Sequence, residues 1–189
     1  MEGSMGNIAV IDTETNWADA VMSIGTVVAD SENFTLTDQR YHVLTAECAL
    51  GGMYEDVLFL PTPAKPILCT RQEALADLRE WLEGLNVETI FAYNALFDRR
   101  HLPELSQWVW RDIMARAAYR QHNPKIPDWA ECCTTGRLKR GYGVEPMLRL
   151  LSGNRDYRET HNALLDARDE LEILRLLGQN VACYCPMNV

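Results

Sequence analysis

Apolar and polar positions along the chain fall into blocks that read as strands first and helices later. "NIAVID" (7–12) is an apolar run that ends abruptly in acidic residues. "VMSIGTVVAD" (21–30) is a second run, closing at Asp30-Ser31-Glu32-Asn33. "FTLTDQRYHVLT" (34–45) reads as a third strand with a turn around Asp38. Three strands in succession predict an antiparallel meander. Residues 49–70 are rich in Gly and Pro and read as an irregular excursion. In "RQEALADLREWLEGL" the apolar positions 75, 78, 82 and 85 recur at helical spacing, with Thr70 as N-cap and Glu73 completing a capping box.

"VETIFAYN" (87–94) predicts a fourth, largely buried strand, and Asn94 is placed to cap a helix through "ALFDRRHL" that Pro103 ends. "RDIMARAAYRQ" (111–121) predicts a helix stopped by the Pro124–Pro127 region. Pro146 suits the first turn of a short helix, "EPMLRLLSG". "NALLDARDELEILRLLG" (162–178) places Leu164, Ala167, Leu171 and Leu174 on one helical face, with Gly178 as C-cap. The order of elements predicts an α/β fold, a central mixed sheet flanked by helices.

A chain of 189 residues with 47% hydrophobic content is most simply one globular domain. Residues 1–6 read as a tag or disordered start, 7–178 as the domain, and 179–189 as a C-terminal tail. No apolar run approaches the ~20 residues that span a bilayer, and the N-terminus lacks the basic and apolar regions of a secretory signal. The six cysteines, at 48, 69, 132, 133, 183 and 185, are therefore expected to be reduced thiols in a cytoplasmic protein. Their spacings are not those of a zinc knuckle.

The formal net charge is −9. It is unevenly spread: residues 1–90 carry 4 Lys/Arg against 15 Asp/Glu, whereas Arg99 to Arg158 carry 12 basic and 6 acidic residues. That mild basic stretch on an acidic protein excludes tight, non-specific wrapping of long duplex.

Asp12 and Glu14 pose a physical question. Side chains two apart on a strand point to the same side, so two carboxylates face each other at the end of a core strand, where like charges repel. Taken singly, the acidic positions carry little. D-x-E recurs by chance in an acidic chain, Asp98 in the first turns of a helix suits the helix dipole, Asp166 reads as a solvated charge, and His161 as a loop histidine.

Their order and settings carry more. "VIDTET", "FAYNALFDRR" and "THNALLDARDELEIL" resemble the three motifs of the DEDDh (DnaQ-like) 3′–5′ exonuclease family, which has the RNase H-like fold; His161-x4-Asp166 is similar to the histidine branch. "SIGTVVAD" is similar to the family's second strand, and the resemblance runs from residue 7 to about 177. "NALFDRRHLPEL" is similar to the corresponding stretch of exodeoxyribonuclease X, which hints at DNA.

The resemblance implies a metal-dependent nuclease releasing 5′-mononucleotides from single-stranded DNA or RNA 3′ ends. Two Mg²⁺ or Mn²⁺ ions per site would turn the carboxylate repulsion into ligation. By the resemblance Asp12 bridges both ions, Glu14 and Asp166 complete one site, and Asp98 supports the second. His161 would be the general base that takes a proton from the attacking water, histidine being the side chain that exchanges protons near neutral pH. Thr15, Trp17, Asn94 and Phe97 would contact the substrate. Relatives often have Thr-Gly where this chain has Asn16-Trp17; Trp17 offers either a stacking face for a base or a ring packed on the sheet edge. The alternatives are a proofreading module bound to a DNA polymerase, an exoribonuclease, and a silent nucleic-acid-binding relative. A second copy of the chain is a further candidate partner; nothing points to a membrane.

Overall fold

The computed structural model describes residues 6–187, so residues 1–5 of the tag-like start and the last two residues lie outside the described part. β1 (Asn7–Thr15) sits inside the sheet because both its faces are apolar. Ile8 and Val10 face one core, and Ala9 and Ile11 face the other. β2 (Val21–Asp30) and β3 (Leu36–Leu44) extend it as an antiparallel meander. β5 (Val87–Ala92) pairs parallel with β1 on its other side; with the edge strands β4 (Ile67–Cys69) and β6 (Val109–Asp112), the sheet order is β4-β3-β2-β1-β5-β6.

One core lies beneath α2 (Arg71–Gly84), which buries Leu75, Leu78 and Leu82 against the sheet. The capping box forms as predicted, with Thr70 accepting from the Glu73 backbone and Glu73 reaching back to Thr70. The other core lies beneath α5 (Val144–Ser152) and α6 (Ala163–Leu177). All four residues placed on the inner face of the last helix are buried there, and Gly178 ends it in the left-handed conformation.

Several elements differ from the reading of the sequence. The turn lies at residues 31–35, where Asp30 Oδ1 accepts from the Glu32 and Asn33 amides, and Asp38 is inside β3 opposite Val28. A helical turn, α1 (Thr45–Cys48), precedes the excursion, which contains the short edge strand β4 (Ile67–Cys69), parallel to β3. The helix expected at 111–121 is mostly absent. Its first residues belong to the edge strand β6 (Val109–Asp112), held by pairing to β5, and a single helical turn, α4 (Met114–Ala117), follows. Asn94 does not cap the next helix, α3 (Leu96–His101); Ala95 occupies that position without a side-chain cap, and Asn94 has a positive φ of 59°.

Residues 179–187 return along β6, with Tyr184 buried edge-on against Phe91 and the Met187 amide donating to Trp110. All six cysteines are free. No helix among the described residues is long and apolar enough to cross a membrane.

Candidate active site

The even-numbered side chains of β1 point at α6, so Asp12 and Glu14 continue the row begun by Ile8 and Val10. A register shift after Glu14 re-aims the strand as it leaves the sheet. Gly25 of β2 stands opposite Asp12, and a Cβ there would be 2.1 Å from the Ala163 carbonyl group. The missing side chain lets the first turn of α6 lie directly on the sheet and carries Asp166 over β1.

Asn162 fixes that turn from two directions. Its Oδ1 accepts from the amides of Leu164 (3.2 Å) and Leu165 (3.3 Å), while its Nδ2 donates to Tyr41 Oη (3.1 Å) and the Val57 carbonyl (2.8 Å). The same bonds pull the excursion over the site. As a result the Tyr54 ring stacks on His161, centroids 4.1 Å apart and planes 14° from parallel. His161 itself has φ of 58°, a left-handed conformation that a non-glycine residue rarely adopts.

Asp98 arrives from the opposite face of β1. It is 2% exposed, and its Oδ1 accepts from Thr13 Oγ1 at 2.7 Å. The turn before α3 is held by Asp112, whose Oδ1 accepts from the amides of Asn94 (3.0 Å) and Met114 (2.9 Å).

The result is a concentration of carboxyl groups that oppose one another's ionisation. One ligand atom each from Glu14, His161 and Asp166 lies within 4.8 Å of the other two. Asp12 is pushed well above the usual carboxylate range by burial, then by Glu170, Asp98, Asp166 and Glu14. Burial, with Glu159 and Asp98, lifts Glu14 to about 8. Burial, with Glu159 and Glu14, lifts Asp166 to about 9, and burial lifts Asp98 to about 7 against the bond from Thr13. Asp12 Oδ2 and Asp166 Oδ1 are buried without a hydrogen-bond partner. His161 adds a ring nitrogen beside Glu14 and Asp166, whereas Asp12 and Asp98 lie outside that tight group. Carboxylate oxygens that repel one another, two of them buried without a partner, suit hard divalent cations, so the carboxylates present fit the implied Mg²⁺ or Mn²⁺.

The expected substrate contacts are spread around this centre. Trp17 is 70% exposed and is not packed on the sheet edge. Asn16 beside it is buried and structural: its Oδ1 accepts from Ala18 and Ala20, and its Nδ2 donates to the Glu47 carbonyl. Thr15 is half-buried at the strand end. Asn94 and Phe97 line a cleft of about 510 Å³ with Leu96, Arg100, His101 and Asp19.

Reading the sequence missed Thr13, Tyr54, Glu159 and Glu170. Glu170 is 2% exposed, accepts from the Tyr93 amide at 3.0 Å, and is raised well above the ordinary carboxyl range by burial and Asp98. Its spacing was the available signal, since Asp166 and Glu170 are four apart and share a helix face.

No protein-family model and no curated protein matches the chain. Solved structures do. The nuclease domain of 3′hExo, a DEDDh family member bound to rAMP, has a TM-score of 0.66 at 14% identity, over 100% of this chain and 99% of that one. A 3′-exonuclease in 3′-end specific recognition of histone mRNA stem-loop has a TM-score of 0.64 at 14% identity, over 97% of this chain and 67% of that one. E. coli Exonuclease I in complex with an oligonucleotide has a TM-score of 0.56 at 15% identity, over 92% of this chain but 40% of that one. At these identities the likeness establishes the fold: this chain has the RNase H-like exonuclease fold.

Proposed function

We propose that the chain is a DEDDh-type, divalent-metal-dependent 3′–5′ exonuclease that releases 5′-mononucleotides from single-stranded 3′ ends, with DNA as the preferred strand. The observation that carries this reading is the convergence of Asp12, Glu14, Asp98 and Asp166, from both faces of β1, with two buried carboxylate oxygens lacking any partner. No stabilising role accounts for them, because each carboxylate raises the cost of ionising its neighbours.

Asp12, Glu14, Asp98 and Asp166 would hold the cations. When bound, these would supply positive charge for the phosphoryl oxygens and make the attacking water more acidic. His161 takes the proton from that water on a ring nitrogen, and Tyr54 holds the imidazole plane by stacking. Trp17 and Phe97, both exposed, offer faces to the terminal bases; Asn94 lines the cleft of Phe97, and Thr15 ends β1 two residues before Trp17. The preference for an unpaired end follows from the unpairing cost of a few kcal/mol that a duplex end adds.

The test is digestion of labelled linear single-stranded DNA and RNA, blunt duplex and circular single strands, with Mg²⁺, with Mn²⁺ and with chelator. Metal-dependent release of 5′-mononucleotides from linear strands, intact circles and a folded but inactive Asp12→Asn variant are expected. Cleavage of the circle, or parental rates in Asp12→Asn, would overturn the assignment.

A further inference from the structure

The segment between α4 and α5 is not used by the chemistry above. It is a long connection, yet it is firmly built. Tyr119 pairs with Arg137 and Cys132 with Leu138 in isolated antiparallel bridges. Asn123 is buried and its Nδ2 donates to the Ala117 carbonyl at 2.7 Å; Ile126 and Leu138 anchor the loop in the core. On this fixed loop Trp129 is 85% exposed, the most exposed large hydrophobic side chain among the described residues. It borders a cleft of about 380 Å³ with Leu138 and Arg140.

The charge of the segment is opposite to that of the chain. Residues 116–142 hold six Lys/Arg (116, 120, 125, 137, 139, 140) against two Asp/Glu (128, 131), a balance of +4 in a protein of net −9. Glu131 faces Lys139 at 3.8 Å. Arg137 lies over the Tyr142 ring, 4.6 Å from its centroid. The loop also touches the wall of the acidic site. Tyr93 Oη donates to the Tyr142 carbonyl at 2.6 Å, while the amide of the same Tyr93 donates to Glu170.

We infer that this loop is a second binding surface for the same single strand, engaging nucleotides on the 5′ side of the scissile bond, with Trp129 stacking on a base and Arg140 and its neighbours pairing with phosphates. This rests on the exonuclease reading. The reasoning is electrostatic. A polyanion approaching a net-negative protein needs positive charge to lie on, and this segment offers it while joined to the wall of the acidic site through Tyr142 and Tyr93. An aromatic face beside arginines is the composition that binds single strands without reading their sequence.

The test compares a trinucleotide with a single strand of about 15 nucleotides, long enough to cross one binding module. Trp129→Ala should raise KM for the long strand roughly 5- to 100-fold, as expected for loss of one base stack, with kcat and the trinucleotide KM unchanged. Arg140→Ala should lower the slope of log affinity against log salt by about 0.7, the loss of one phosphate contact on a single strand. Equal effects on both lengths, or none on either, would overturn the inference. So would self-association of the parent that Trp129→Ala abolishes, since the surface would then join copies of the chain. If the parent cleaves nothing, the nuclease reading fails by itself. Anisotropy of a labelled strand in chelator then still decides for the loop: weaker binding by Trp129→Ala supports it, and equal binding refutes it.

Discussion

A metal-free site of this kind should make the protein less stable as the pH rises. In the unfolded chain carboxyl groups ionise near pH ~4. In the folded chain Asp98, Glu14 and Asp166 hold protons to about 7, about 8 and about 9. Between these limits the folded state binds more protons than the unfolded state, so stability falls with pH. The contribution is complete below the unfolded values and is lost as pH passes through the folded ones. The buried His42, whose imidazole is depressed by burial against its bond to Asp77, acts in the other direction, but its effect ends near pH ~6.5. The window for the measurement is therefore pH 7 to 9.

The carboxyls share one field, so their shifts describe a coupled system and do not add. One excess proton retained across two pH units corresponds to roughly 3 kcal/mol. For a chain of this size that is a fall in Tm of about 6–12 °C. Thermal unfolding in chelator across the window measures it. Asp166→Asn removes one raised carboxyl, so its metal-free Tm at pH 8 should exceed the parent's and fall less steeply. Millimolar Mg²⁺ should raise the parent's Tm, and more so at pH 9 than at pH 7, because ligation requires the deprotonated carboxylates. A metal-free Tm that is flat or rising between pH 7 and 9, or an Asp166→Asn variant no more stable than the parent at pH 8, would refute the reasoning.

Two further outcomes test how the site is positioned. Gly25→Ala should cost about 3 kcal/mol or more by overpacking and lower activity although Gly25 holds no ligand, because the added Cβ meets the Ala163 backbone and displaces the helix that carries Asp166; calorimetry beside oligonucleotide turnover checks both. His161→Ala should reduce kcat ~10²–10⁴-fold, with His161→Gln no better, while Tyr54→Ala should reduce it up to ~10-fold and Tyr54→Phe hardly at all; if Tyr54→Ala still has its full effect in the His161→Ala background, the stack is not how Tyr54 acts.

The parts of the fold legible in the sequence are those that local rules decide. The box of Thr70 and Glu73, the buried face of the last helix and the αL stop at Gly178 depend on neighbours within a few residues. The three-strand meander was legible because short turns leave little choice of partner. The segment around Ile113, Ala117 and Ala118 misled for the opposite reason. Its apolar residues are spaced as on a helix, but Arg111 and Asp112 are recruited by β5, through partners some twenty residues away in sequence. Asn94 has the composition of a cap, yet the left-handed turn that it occupies is imposed by Asp112 from the neighbouring strand. Trp17 had two readings in the sequence, and its exposure removes the packed one. Asn16 could not be assigned at all without the Glu47 carbonyl that it binds across the loop.

Glu170 shows what a family pattern leaves out. The helix reading treats Leu164, Ala167, Leu171 and Leu174 as the buried stripe, and Glu170, three residues after Ala167, falls on the flank of that stripe rather than on the solvent side. A carboxyl there must be hydrogen-bonded or neutral, since burying a lone carboxylate costs far more than the stripe gains. Here it is both braced and disfavoured as a charge. One oxygen accepts the Tyr93 amide at the end of β5, and burial with Asp98 opposes its ionisation. It therefore ties α6 to β5 across the site, which sets the distance between the helix bearing Asp166 and the turn leading to Asp98. Cations entering among Asp12, Glu14, Asp98 and Asp166 would reverse the sign of the local field and allow those carboxylates to ionise. The packing that makes these carboxyls costly to ionise is thus the same packing that holds them in register.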